Sequence, residues 1–342
     1  MKTRSLAVAG MIVGGALLAL PFAEPAAAQS VDFKGKQIRM LIGFGPGGGY
    51  DQYARVLIRH MDRHIPGNPT FIAQNMPGAG SITAANTIYV NSPKDGTVFG
   101  IIARDAPTQP LTGGTGAQFD ATKFSWIGSP AAETSVCIAT DKSKVRTLDD
   151  LLSGKNGEFI IGGTGAGTGT EIYPRALNGL IGAKFKVIGG YPSSTDVQLA
   201  MERGEVFGIC ESYSSIYRKD AAAINSGKYA LLFQAAAQNN PQVKAPFLLD
   251  RVSAEHRKEL EFLYAGQTIG RPFIAPPDLQ PGVLATLRKA FDDTMKDKEF
   301  LAEAEKQKLD IDPVSGAELE KLIKSVYATP KEIINKVQSS MK

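Results

Sequence analysis

The stretch that decides the fold is QIRMLIGFGPGGGYD, residues 37–51. Residues 37–44 are an apolar run typical of a buried strand, and the glycine-rich segment 45–49 follows without a break. Asp51 then opens a segment whose apolar residues recur at helical spacing. The pattern predicts a strand, a glycine turn and a helix, which together form the basic unit of an α/β sheet.

The same unit recurs along the chain. Residues 70–74 and 97–102 are further predicted strands, with a helical pattern between them. Later, the predicted strand 159–162 runs into a second glycine-rich turn, GGTGAGTG at 162–169, and a predicted helix over 170–181 follows. Strands that alternate with helices at this spacing predict doubly wound, mainly parallel sheets.

The predicted elements divide into two groups, with boundaries in loops near residues 130 and 235. We expect residues 29–130 and 236–342 to form one lobe, with residues 131–235 inserted as the second lobe. The chain then crosses between the lobes twice and forms a hinge. The fold class that we predict is therefore α/β, with two lobes that are each a doubly wound sheet.

Residues 1–28 have the pattern of a cleavable export signal. Lys2 and Arg4 precede an apolar run over 6–20, and small residues follow at 26–28. We expect cleavage after Ala28, with an uncleaved anchor as the alternative. Loss of this segment reduces the net charge from +4 to +3. Such a small excess, without a basic run, argues against a nucleic-acid partner.

Few residues are available for metal, cofactor or catalytic chemistry. His60 and His64 share one helix face with no third ligand nearby, so we expect a solvated face and no metal. Residues 43–48 match G-x-G-x-x-G, but the next strand ends at Asn75 and not at an acidic residue, so we expect no dinucleotide cofactor. There is no Gly-x-Ser-x-Gly elbow and no cysteine beside a histidine. We therefore expect a binding protein and not an enzyme.

The two cysteines, Cys137 and Cys210, each lie in a predicted strand. An oxidising compartment permits a disulfide if their Cα atoms approach within about 7 Å. The alternative is two small, buried thiols that never bond. The sequence leaves both readings open.

Both glycine-rich loops supply backbone amides at the N-terminus of a helix, where the macrodipole favours negative charge. Glycine leaves the main chain open to a ligand, and open α/β sheets bind ligands at the carboxyl ends of their strands. One such loop in each lobe would hold an anion from both sides. The predicted binding residues in these loops are Phe44, Gly45, Gly47, Gly48, Gly49, Gly163, Thr164, Gly165, Ala166, Gly167 and Thr168.

An ordered series of motifs resembles the periplasmic substrate-binding receptors of tripartite tricarboxylate transporters, also called Bug proteins. The series begins with PGGGYD at 46–51 and continues with NMPGAG at 75–80 and PKDGT at 93–97. It ends with RPFIAPP at 271–277. The resemblance extends over essentially the whole mature chain.

The resemblance implies a two-lobed, type II Venus-flytrap fold in the periplasm. It also implies capture of a small organic carboxylate, through main-chain amides of the two loops, and delivery to the permease subunits of a membrane transporter. We expect a monomer. Asp51 is expected to orient the first loop, because a carboxylate would repel an anionic ligand.

Other candidates come from loops that face the predicted cleft. Tyr191, Asp196, Glu211 and Ser212 are candidates for contact with the far end of the ligand, with ordinary loop packing as the alternative. Arg104 and Arg271 are candidates for balancing the ligand charge, although surface salt bridges explain most arginines.

The sequence leaves the ligand open between an aliphatic di- or tricarboxylate and an aromatic acid. We slightly favour a small aliphatic dicarboxylate. It also leaves open whether the loaded receptor serves a permease or a signalling partner.

Overall fold

The computed structural model describes residues 31–342, so the predicted export signal lies outside the described residues. None of the described helices is long and apolar enough to cross a membrane. The strands are β1 (Gln37–Ile42), β2 (Thr70–Asn75), β3 (Val98–Ile101), β4 (Ser125–Ser129), β5 (Ser135–Ala139), β6 (Phe159–Gly162), β7 (Phe185–Ile188), β8 (Gly208–Ser212), β9 (Ala230–Ala235), β10 (Phe273–Ala275) and β11 (Val314–Ser315). The α-helices are α1 (Gly49–Met61), α2 (Ile82–Asn86), α3 (Leu148–Ser153), α4 (Gly169–Ile181), α5 (Ser194–Arg203), α6 (Tyr213–Asn225), α7 (Ala254–Leu263), α8 (Ala265–Ile269), α9 (Val283–Thr294), α10 (Lys298–Lys306), α11 (Gly316–Tyr327) and α12 (Lys331–Ser340).

The first lobe is built on a six-stranded sheet in the order β11-β4-β10-β3-β1-β2. Strand β1 runs parallel to β2 and β3, whereas β10 runs antiparallel to β3 and β4. Side chains on β1 alternate between two buried clusters: Met40 and Ile42 pack with α1 and α9, and Leu41 packs with α2 and α11. Both faces of the sheet are therefore covered, as a doubly wound fold requires.

The second lobe contains a three-stranded sheet, β8-β5-β9, and the parallel pair β6-β7. Strand β5 runs antiparallel to both of its neighbours. The sheets are thus mixed in direction, although the α/β class and the two lobes agree with the prediction. Cys137 on β5 lies directly opposite Cys210 on β8, and the two form a disulfide with a Cα–Cα distance of 4.0 Å. Of the two alternatives that the sequence leaves open, the structure has the disulfide and not two free thiols.

The C-terminal third of the chain corrects the predicted boundary at residue 235. Helices α7 and α8 pack with the second lobe, where Leu260 and Tyr264 belong to the same buried cluster as α4. Helix α12 packs on α4 and α7 through Ile334 and Val337. Helices α11 and α12 are separate, because Pro330 between them cannot continue a helix and redirects the chain.

The segments that cross between the lobes lie side by side. The Glu133 amide donates to the Gln267 carbonyl at 2.8 Å, and the Arg271 amide donates to Ser129 Oγ at 2.8 Å. Gly270 has φ +69, and a Cβ there would lie 1.8 Å from the Ala131 carbonyl oxygen. Only glycine allows this approach, so the crossing depends on that residue.

Candidate functional site

The N-terminus of α1 is left open by its own sequence. Gly48 is the N-cap residue and provides no side-chain hydrogen bond. Among the described residues, the amides of Gly49 and Tyr50 have no protein acceptor, as expected for the first turn of a helix. These donors and the positive end of the helix dipole point at the boundary between the lobes.

Asp51 holds the first loop in shape. Its Oδ2 accepts from the Gly47 amide at 2.9 Å, and its Oδ1 accepts from Arg55 Nε and Asn75 Nδ2, each at 2.8 Å. Asn75 also donates to the Phe44 carbonyl at 2.9 Å. The geometry agrees with the orienting role that we predicted for Asp51, which lies outside the cavity lining.

A cavity of about 430 Å³, including its opening to solvent, lies where the loop before α1 meets the loop before α4. Both lobes contribute to its wall. It is lined by Phe44, Gly48, Gly49, Tyr50, Ala103, Arg104, Asp105, Thr164, Thr168, Gly169, Thr170, Ser193, Ser194, Glu211 and Arg271. The Phe44 and Tyr50 rings stack with centroids 4.5 Å apart.

Arg104 reaches from the first lobe to the second. Its Nη1 donates to Ser212 Oγ and its Nη2 donates to Ser135 Oγ, each at 2.8 Å. The residue is 4% exposed, and its Nε has no hydrogen-bond partner among the described residues, although Asp105 Oδ2 lies at ion-pair distance, 3.9 Å away. Buried polar atoms are normally paired, so an unpaired guanidinium nitrogen in a cavity wall indicates a position for an acceptor.

Arg271 lies beside the same wall and is fully buried. Its Nε donates to Glu133 Oε1 at 2.6 Å, and its Nη2 donates to Ser212 Oγ at 3.0 Å and to Ser215 Oγ at 2.9 Å. The guanidinium carbon lies 4.6 Å from the centroid of the Tyr50 ring, a cation–π contact. Neither arginine is the surface residue that the sequence favoured.

The charges of these groups are set by their neighbours. Burial alone lowers the pKa of Arg104 and Arg271, but nearby acidic and tyrosine groups outweigh burial and raise both pKa values, so both side chains stay cationic. Burial raises the pKa of Asp105, opposed by Arg104 and by hydrogen bonds from Tyr173 and the Gly169 amide. Both oxygens of Asp105 accept a hydrogen bond, Oδ2 from the Gly169 amide and Oδ1 from the Tyr173 hydroxyl.

Two amides of the second glycine-rich loop donate to side chains at the start of α4. The Gly165 amide donates to Glu171 Oε1 at 2.9 Å, and the Thr164 amide donates to Thr170 Oγ1 at 2.8 Å. Gly165 has φ +131, and a Cβ there would lie 2.7 Å from the Gly80 amide nitrogen of the first lobe. This loop is therefore a contact between the lobes.

Some of the residues predicted to bind the ligand lie in the cavity wall. They are Phe44, Gly48, Gly49, Thr164, Thr168 and Glu211, together with Arg104 and Arg271, the two candidates for balancing the ligand charge. The predicted residues outside the lining are Gly45, Gly47, Asp51, Gly163, Gly165, Ala166, Gly167, Tyr191, Asp196 and Ser212. Of these, Asp196 accepts from Ser193 Oγ at 2.6 Å at the start of α5, and Ser212 accepts from both arginines.

The largest omission was Asp105, which lies next to Arg104 just after β3. Its only sequence signal was its position at the carboxyl end of a parallel strand, where ligands of α/β sheets bind. Tyr50, Ser193 and Ser194 were omitted as well.

His60 differs from the prediction of a solvated face. It is 8% exposed, and its Nε2 lies 2.6 Å from Glu303 Oε2. His60, Asp297 and Glu299 bring their ligand atoms together, but Arg63 donates to both carboxylates and its Nη2 lies 3.0 Å from His60 Nδ1. A guanidinium already occupies the position of a cation, so we assign no metal to this group.

Comparison with solved structures shows the fold. The malate-bound MatC protein of Rhodopseudomonas palustris is 15% identical, with a TM-score of 0.70, covering 91% of this chain and all of that one. The periplasmic binding protein BugD is 17% identical, with a TM-score of 0.70 and coverage of 89% and 98%. A second R. palustris protein, solved with adipate, is 14% identical, with a TM-score of 0.69 and coverage of 90% and 98%.

Sequence comparisons identify the family. A UPF0065 protein from the gbd 5′ region of Cupriavidus necator is 27% identical over 211 residues, 60% of this chain. The match spans 62% of the length of that relative. The model of the tripartite tricarboxylate transporter family receptor, TctC, matches residues 54–338. The chain therefore belongs to the tripartite tricarboxylate transporter receptor family.

Proposed function

We propose that this protein is a periplasmic receptor that captures a small organic carboxylate in the inter-lobe cavity and delivers it to a tripartite tricarboxylate-type transporter. The observation that carries the proposal is the unpaired, buried Nε of Arg104 in the wall of a cavity that also contains the open N-terminus of α1.

A carboxylate satisfies both features at once. One oxygen accepts from Arg104 Nε, and the other accepts from the Gly49 or Tyr50 amide at the positive end of the helix. Arg271 adds a second buried positive charge beside that position. Charged hydrogen bonds of this kind are the strong ones, and here they replace donors that otherwise have no acceptor.

Ligand binding and closure are coupled in this arrangement. Arg104 belongs to the first lobe but is held by Ser135 and Ser212 of the second. The Gly45 amide also donates across the boundary to the Pro192 carbonyl at 3.1 Å. Because the second lobe holds the Arg104 side chain in place, a carboxylate that binds Arg104 favours the closed state and shifts the population toward it.

The relatives are consistent with the ligand class. Two of the structurally similar proteins hold malate and adipate, both organic carboxylates. The stacked Phe44 and Tyr50 rings in the cavity wall keep an aromatic acid as the second candidate. Delivery to a permease follows from the receptor family to which the chain belongs.

Calorimetry on ligand-stripped protein tests the proposal. The protein is unfolded in guanidinium without reductant, so that the disulfide stays intact, then dialysed and refolded. It is titrated with a panel of mono-, di- and tricarboxylates and aromatic acids. We expect at least one member to bind with a Kd in the micromolar range or tighter. Failure of every carboxylate to bind refolded protein contradicts the proposal.

A further inference from the structure

Asp105 occupies the N-terminus of α4 from the opposite lobe. Its Oδ2 accepts from the Gly169 amide at 2.8 Å, and its Oδ1 accepts from the Tyr173 hydroxyl at 2.7 Å. A Cβ at Gly169 would lie 3.0 Å from this carboxylate, and one at Gly266 would lie 2.6 Å from it, so two glycines make room for it. The anion position that α4 offers is filled by a protein carboxylate.

A second carboxylate, that of Glu171, contacts the glycine-rich loop before α4. Its Oε1 accepts from the Gly165 amide, and a Cβ at Gly163 would lie 2.3 Å from its side chain. Glu171 therefore takes one of the amides that we predicted for the ligand, that of Gly165, and Asp105 takes the neighbouring Gly169 amide at the start of α4. The open anion position in the cavity is the one at α1, beside Arg104.

The charges that line the cavity balance without a ligand. Arg104 and Arg271 are opposed by Asp105 and Glu211. Arg271 is also paired with the buried Glu133 at 2.6 Å. One ligand carboxylate accepts from Arg104 Nε, which has no other hydrogen-bond acceptor among the described residues. A second carboxylate in the same cavity would face Asp105 and Glu211, and like charges repel strongly in a buried site.

Glu211 offers an acceptor to the other end of a ligand. It is 8% exposed and lies in the cavity wall. Its Oε1 accepts from the Ser212 amide at 2.9 Å, while no donor within residues 31–342 contacts its other oxygen. A carboxylate oxygen in the cavity wall that accepts from no protein donor favours a hydrogen-bond donor from the ligand.

We infer that Asp105 sets the substrate class, so that the ligand carries one carboxylate and a distal nitrogen donor, an ammonium or primary amide, and dicarboxylates are disfavoured. The inference rests on the proposed function, because it takes the carboxylate at α1 as given. It reverses the preference for a small dicarboxylate that the sequence suggested.

Matched ligands separate this inference from the proposed function. Three skeletons are compared by calorimetry: a four-carbon chain, a six-carbon chain and a benzene ring. For each skeleton, the dicarboxylate is compared with two monocarboxylates, in which an aminomethyl or a carboxamide group replaces the second acid. For the four-carbon chain, these ligands are succinate, 4-aminobutanoate and succinamate. On the skeleton that binds best, we expect the nitrogen-bearing ligand to bind at least about tenfold tighter than the dicarboxylate.

Asp105→Asn removes the negative charge and keeps an acceptor for Gly169 or Tyr173, so we expect the two affinities to approach within about threefold. Asp278→Asn is the matched control, since its side chain is 83% exposed and lies outside the cavity lining. If Asp105→Asn does not fold, Glu211→Gln tests the same charge balance and should shift the ratio in the same direction.

Each outcome has one meaning. A wild-type protein that prefers the dicarboxylate overturns the inference and leaves the proposed function intact. An unchanged ratio in folded Asp105→Asn removes Asp105 from its specificity role. Binding by no member of any skeleton contradicts the proposed function itself.

Discussion

Arg104 Nη1 donates to Ser212 Oγ at 2.8 Å, and this hydrogen bond crosses the boundary between the two lobes. The same serine oxygen accepts from Arg271 Nη2 at 3.0 Å. Ser212 thus brings two buried cations of the first lobe together on the second lobe. Separation of the lobes breaks both bonds, so the position of the guanidinium groups at the cavity depends on closure.

Replacement of Arg104 should abolish most of the binding. Arg104→Met keeps much of the side-chain volume but removes the charge and the unpaired Nε. We expect the affinity for the best ligand to fall about 100-fold by calorimetry, close to the loss of one charged, buried hydrogen bond.

Arg251→Met is the control for the loss of an arginine, because Arg251 is half-exposed and pairs with Asp149 outside the cavity lining. Circular dichroism checks that both variants fold. Unchanged affinity in folded Arg104→Met would remove the arginine from the site.

Gly165 should tolerate no side chain if the lobes are to close. A Cβ at this position would meet the Gly80 backbone at 2.7 Å. We expect Gly165→Ala to weaken binding by about tenfold or more, because the clash costs free energy only in the closed state. Small-angle scattering of the ligand-saturated variant should give a larger radius of gyration than the wild type.

Gly157→Ala is the matched control for that glycine. Gly157 also has a positive φ, +78, but a Cβ there has no neighbour within 4 Å. The control places a methyl group at a positive φ without the contact, so its affinity should equal that of the wild type. If both variants lose the same affinity, the loss is due to backbone strain and not to impaired closure of the lobes.

The disulfide should be quantitative in protein purified without reductant. Thiol titration of the guanidinium-unfolded, unreduced protein should detect no free thiol, and reduction should release the two from Cys137 and Cys210. The double variant Cys137→Ala, Cys210→Ala should lose about 2–4 kcal/mol of unfolding free energy, since the bond closes a long loop in the unfolded chain. Two free thiols before reduction would contradict the bond.

Asp297 should make stability depend on acidic pH. Burial alone raises its pKa, but hydrogen bonds from Arg63, His64 and backbone amides outweigh burial and hold the pKa below its ordinary value. A lowered folded-state pKa stabilises the protein above the unfolded pKa, and this contribution disappears as the pH falls. Relative to wild type, we expect Asp297→Asn to lose about 1 kcal/mol above about pH 5 and progressively less as the pH falls below about 4.

Urea unfolding of both proteins across this pH range measures that difference, with Asp278→Asn as a control for an exposed carboxylate. If the unfolding free energies of wild type and Asp297→Asn differ by the same amount at every pH, the ionisation of Asp297 is not linked to stability.

Local patterns along the chain were sufficient to predict the α/β fold and the first loop. The strand, glycine turn and helix over residues 37–61 depend on neighbours in sequence, and their spacing is unambiguous. The helix α6 was missed because polar residues and tyrosines interrupt its apolar positions, and its backbone kinks at Asp220. Pro330 was the available signal for the end of α11, and we did not use it.

The cavity wall depends on contacts between distant residues, which one sequence does not reveal. Arg104, Ser135 and Ser212 meet only after the second lobe has closed on the first. The second loop was predicted to bind an anion because its glycines precede a helix and leave the main chain open. No pattern along the chain indicated that Asp105 and Glu171 would accept from the Gly169 and Gly165 amides.

A crystal structure with the tightest ligand of the panel shows directly where the ligand carboxylate binds. We expect this carboxylate within hydrogen-bond distance of Arg104 Nε and of the Gly49 or Tyr50 amide. Asp105 should still accept from the Gly169 amide in that complex. A carboxylate bound to the amides of residues 165–167, or outside the inter-lobe cavity, would contradict this expectation.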